Sequence, residues 1–170
     1  MLYKTKTYIA ADWTGDKDAV DKLYEWNNNS RLSLSFTDAH DLTQARDSSL
    51  NCSIKASLKM RLDASKTFVL IVGNQTKTIR NGSCQYCNSY SSWTKACVRG
   101  HSVDYRSYIE YECEMAIKAG IKIVVLYSAT HVDKTKCPDV IKNYGNHVAM
   151  CYRENGNVYW DYQAVKAALE

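Results

Sequence analysis

A chain of 170 residues fits one domain with a sizeable core, and 45% apolar with 24% charged residues is the balance of an ordinary globular protein. The net charge of +4 comes without a Lys/Arg run or a basic stripe, so no nucleic-acid partner is expected. No apolar run approaches the ~20 residues of a membrane span, and residues 1–6 lead straight into a strand-like run without an apolar leader. A single cytoplasmic domain over 1–170 is the expectation.

Strand and helix signals alternate along the chain. Residues 5–11, TKTYIAA, read as a strand, and 16–26 as a helix with Ala19, Val20, Leu23 and Tyr24 on one face. Asn27-Asn28-Asn29-Ser30 reads as a loop. Residues 32–36 alternate Leu, Ser, Leu, Ser, Phe, which is strand periodicity. Residues 38–48 are polar and irregular. Residues 49–64 read as a helix with Leu50, Ile54, Leu58, Met60 and Leu62 as its apolar positions. Residues 66–73, KTFVLIVG, form the continuous apolar run of a strand buried on both faces of a parallel sheet. A polar Cys/Ser/Tyr-rich insertion covers 74–104. A helix then runs up to Gly120, followed by a strand at 121–127, a short helix at 138–144, a strand at 147–152 and a last helix at 159–169.

Five βα repeats predict a doubly wound, flavodoxin-like α/β fold with a five-stranded parallel sheet in the order 2-1-3-4-5. Its ligand crevice lies beyond the carboxyl ends of strands 1 and 3, at Asp12-Trp13-Thr14 and Asn74-Gln75-Thr76.

The helix before Gly120 carries three acids that cannot share one face. Glu110 and Glu114 line up with Lys118 on a charged outer row. Ile109, Cys113, Ala116 and Ile117 form the buried stripe. Glu112 falls on the adjacent row with Tyr108, Met115 and Ala119, beside the core. A partly desolvated carboxylate is kept neutral, paired or used, which makes Glu112 the first candidate for chemistry.

Four segments in this order resemble those of TIR-type domains, in particular the TIR-like branch related to the signal-producing protein of bacterial Thoeris anti-phage defence. They are the opening strand KTYIAAD, the segment LSFTDAHDL with its F-x-D-x-x-x-L pattern, the strand KTFVLIVGNQT, and the block YIEYECEMAIKAGIKIVVL. In that last block Tyr108 takes the place of the usual tryptophan and Glu112 that of the glutamate. The first strand departs from the pattern, ending in Ala10-Ala11-Asp12 rather than a serine followed by an aromatic.

The resemblance implies a catalytic Glu112 in an enzyme that cleaves the nicotinamide–ribose bond of NAD. The product would be ADP-ribose or a cyclic ADP-ribose isomer, a nucleotide signal for a downstream effector. Cleavage builds positive charge on the ribose, as in glycoside hydrolysis, and a carboxylate in a dry pocket can stabilise it. Asp12, Trp13, Asp38, Asn74, Gln75 and Tyr108 are the expected NAD contacts. Lys77 and Arg80 are candidates for the pyrophosphate. The resemblance also implies self-association, with Asp38-Ala39-His40-Asp41 as the corresponding contact loop. Alternative readings are a non-catalytic assembly module and a nucleoside deoxyribosyltransferase-like enzyme.

The insertion contains Cys84-x2-Cys87-x9-Cys97-x3-His101, a spacing that suits a structural zinc ion. An odd total of seven cysteines argues against a disulfide framework. Cys52, Cys113, Cys137 and Cys151 lie in or beside regular elements and read as core or loop residues.

Overall fold

The computed structural model describes residues 5–32, 34, 36–39 and 50–170. Among them, β1 (Lys6–Ala10), β2 (Ser65–Val72), β5 (Lys122–Tyr127) and β6 (Asn146–Ala149) make one parallel sheet in the order β1-β2-β5-β6. Two short antiparallel hairpins accompany it: β3 (Tyr90–Ser91) with β4 (Ala96–Cys97), and β7 (Cys151–Glu154) with β8 (Asn157–Trp160).

Alternating strand residues separate the core into two layers. Tyr8 and Ala10 of β1, Phe68, Leu70 and Val72 of β2, and Ile123, Val125 and Tyr127 of β5 face one side. There they meet α2 (Asn51–Asp63) and α3 (Tyr108–Ala119). Ile9, Val69, Ile71, Val124 and Leu126 face the other side, against α1 (Lys17–Asn28) and α4 (Tyr162–Leu169). Period-2 side-chain direction in strands buried on both faces produces this division. It also decides which strand side chains can reach α3.

Among the described residues the sheet has four strands, and the fifth expected one falls partly outside them. The described residues within 32–36 form no strand. The chain touches the outer edge of β1 through one parallel bridge, Thr7 to Asp38, with Ala39 N–H donating to the Thr7 carbonyl at 3.0 Å. The side of the sheet is the one the 2-1-3-4-5 order assigns. His40, Asp41 and the rest of the expected contact loop lie outside the described residues.

Three further elements differ from expectation. Residues 138–144 form no α-helix, only a three-residue 3-10 turn at Asp139–Ile141, with a second just before it at Lys134–Lys136. Ile141 is the only apolar residue of the two turns that is buried, and one anchor does not offset the cost of nucleating a helix. The strand expected at 147–152 divides at Met150: β6 stays in the sheet while β7 leaves it to pair with β8. Asn155 and Gly156, both at positive φ, make the tight turn between β7 and β8, the backbone conformation an Asn-Gly hairpin turn requires. The last helix therefore starts at Tyr162, capped by the Asp161 carboxylate on Ala164 N–H. On α2, Met60 is 66% exposed while Lys55 and Arg61 are buried beside Leu58 and Leu62. The core-facing row of this helix is thus partly basic.

Candidate active site

Glu112 is placed by a well-defined helix. Ser107 caps α3, accepting from Glu110 N–H at 3.1 Å while Glu110 accepts from Ser107 N–H at 2.8 Å. Gly120 ends it in the left-handed conformation. Outside, Glu110 pairs with Arg80 at 2.8 Å, and Glu114 with Arg106 at 2.6 Å and Lys118 at 2.7 Å. The row assigned to solvent is therefore an ion-pair network. Inside, Glu112 is only 6% exposed.

The Glu112 carboxylate accepts a short hydrogen bond from the phenol of Tyr8, which rises from β1 on the α3 side of the sheet and stacks on Phe68. Burial pushes the Glu112 carboxyl up to about 7, against the opposing pull of the Tyr8 bond and the Arg61 guanidinium. Burial and the facing carboxylate hold the Tyr8 phenol well above its ordinary range, so Tyr8 remains the donor. Neither Tyr8 nor Arg61 was singled out by sequence reasoning. Arg61 had a signal, being a cation on the Leu58 and Leu62 row. Tyr8 had none, because its contact spans the fold.

A cleft of about 300 Å³ opens in front of Glu112, lined also by Asp12, Trp13, Arg61, Asn81 and Tyr108. Three expected contacts, Asp12, Trp13 and Tyr108, thus meet the expected catalytic carboxylate in one place. Tyr108 forms a wall: its phenol donates to Asn51 at 3.1 Å, and its ring lies on Gly82. Burial, followed by the thiols Cys87, Cys84 and Cys52, pushes its phenol up to about 12.

Asn74 and Gln75 line a second, smaller crevice of about 140 Å³ at the carboxyl ends of the strands. Asp12 borders both spaces. Asp16, expected only to open α1, turns its carboxyl towards Thr76 at 3.4 Å and over Gly73, where any β-carbon would lie 1.7 Å from its Oδ1. Burial and the neighbouring Asp12 raise Asp16 to about 6. Asp38 is not among the residues lining the Glu112 cleft; it accepts from the Tyr24 phenol, whose ring neighbours Trp13. Lys77 and Arg80 line a separate surface cleft and are paired with Asp139 and Glu110.

Cys84, Cys87, Cys97 and His101 line one small cavity together with Cys52. All seven cysteines are free thiols. Among the described residues no group of three or more His, Cys, Asp or Glu side chains is placed closely enough to hold a metal ion. No described helix is long and apolar enough to cross a membrane.

The parallel sheet with helices on both its faces is consistent with a TIR-like fold. Residues 8–81 match the family model of the Thoeris protein ThsB, TIR-like domain. No curated protein matches the chain. The ThsB-type span runs from Tyr8 through β2 to Asn81 and so contains Tyr8, Asp12, Trp13 and Arg61. It ends before Cys84, Cys87, Cys97 and His101 and before α3, so the match does not cover Glu112.

Proposed function

We propose that this TIR-like domain cleaves the nicotinamide–ribose bond of NAD. The observation that carries the reading is Glu112, a buried carboxylate at the wall of a cleft shared with Asp12, Trp13 and Tyr108. As the C1′–N bond breaks, its electron pair leaves with nicotinamide and positive charge grows on the ribose. Ionised Glu112, in a site of low polarity, stabilises that charge. Asp12 is suited to the ribose hydroxyls and Trp13 to the face of a base. Attack at C1′ by water gives ADP-ribose. Attack by another hydroxyl of the same molecule gives a cyclic isomer, a defence signal for a downstream effector. The domain is tested with NAD both as purified protein and in bacterial cells under phage challenge. Nicotinamide release that depends on Glu112 supports the reading; absence of release in both settings overturns it.

A contact role is favoured by a different observation. Trp93 is 94% exposed, with Tyr86 and Val98 also exposed on the same insertion. We propose that self-association uses this surface. Light scattering of wild type against Trp93→Ser tests it: an unchanged mass distribution contradicts it.

A further inference from the structure

The cavity lined by Cys84, Cys87, Cys97 and His101 has space for about 10 Å³, close to the least that accommodates one water molecule. An organic ligand does not fit such a space; a single ion does. Its lining includes four thiols and an imidazole, donors that select soft or borderline cations over magnesium or calcium.

The backbone supports the same conclusion. Cys84 and Cys87 stand at the two ends of one tight turn, closed by Cys87 N–H on the Cys84 carbonyl at 2.9 Å. Cys97 lies on β4 opposite Tyr90, and a second turn, Gly100 N–H on the Cys97 carbonyl at 3.0 Å, leads to His101. Tyr90 N–H donates to the Cys87 carbonyl at 3.0 Å, joining the two turns. The backbone N–H of Asp104 donates to Cys84 Sγ at 3.2 Å. That contact fixes the position of the Cys84 sulfur at the edge of the cavity.

We propose that Cys84, Cys87, Cys97 and His101 bind one thiophilic divalent cation of the zinc class at this cavity. The donors border the space without being gathered on one point, so binding draws them inward and releases the thiol protons to solvent. The ion orders the segment between β2 and α3, which has only a three-residue turn and a hairpin of two two-residue strands of its own.

The test is metal content of the full chain purified under reducing conditions, without chelator. One zinc per chain is expected, released by an organomercurial, and cobalt substitution is expected to give intense thiolate-to-metal charge-transfer absorption. Cys87→Ser and Cys97→Ser are expected to lose the ion, whereas Cys137→Ser retains it. The mercurial release uses wild-type protein, so a variant that fails to fold leaves the test intact. Metal-free protein that gives no charge-transfer band with cobalt overturns the proposal, as does a disulfide within the cluster found by mass spectrometry. None of these readouts involves NAD.

Discussion

Tyr8 of β1 donates its phenol to Glu112 of α3, two residues 104 positions apart in the chain. The bond ties the first strand of the sheet to the carboxylate at the candidate centre. It opposes the effect of burial on that carboxylate. Tyr8→Phe keeps the ring and removes the donor. It is expected to move the Glu112 titration midpoint above about 7 and to cost about 2 kcal/mol at pH values where Glu112 is ionised. Carboxyl-labelled NMR and denaturant unfolding check the two effects. An unmoved midpoint contradicts the assigned bond.

The stability of the domain carries the imprint of Glu112. Its folded pKa, about 7, lies above the ordinary 4.5. Its contribution is therefore fully present below the unfolded value and is lost as pH rises through the folded one. Glu112→Gln is expected to equal wild type in stability at about pH 4 and to exceed it by about 3 kcal/mol at about pH 8. Denaturant midpoints across that range measure the divergence, and parallel curves contradict it.

Asp104 behaves in the opposite sense. Burial alone would raise its pKa, but bonds from Arg106 and Lys55 outweigh it and hold the carboxyl at about 2. Its contribution is present above the unfolded pKa and is lost as pH falls through about 2. Asp104→Asn is expected to cost about 2 kcal/mol near neutral pH, with the deficit closing in acid. Thermal unfolding at both ends of the range checks this.

The wall of the cleft depends on Gly82. Its φ is +94°, and a β-carbon there would lie 2.5 Å from the Tyr108 ring. Gly82→Ala meets backbone strain and ring displacement together. A loss of about 2 kcal/mol or more is expected, measured by denaturant unfolding.

The central strands and the burial of Glu112 were legible because both follow from local periodicity. FVLIV has no polar face to give to water, and Glu112 lies one helical row from Cys113 and Ala116. Convergence of the four expected metal ligands on one cavity was legible as spacing, but the presence of Cys52 there was not, since α2 brings it from elsewhere in the chain. The basic inner row of α2 was hidden because Lys55 finds its partners, Asp104 and the Arg106 carbonyl, near the start of α3. The β7–β8 hairpin was missed although Asn155-Gly156 marks it, because the apolar run of β6 continues across Met150.

The pH dependence of catalysis follows from the same carboxylate. Stabilising positive charge on ribose requires ionised Glu112, so NAD cleavage is expected to rise with pH through about 7 and to level above it. Tyr8→Phe is expected to shift that rise upward. A profile that falls over this range contradicts the assigned role.

The most direct measurement is mass spectrometry of the nucleotides formed from NAD by the phage-activated protein and by Glu112→Gln side by side. The account predicts ADP-ribose or a cyclic isomer of it from wild type and intact NAD from the variant. Equal product from both proteins would contradict it.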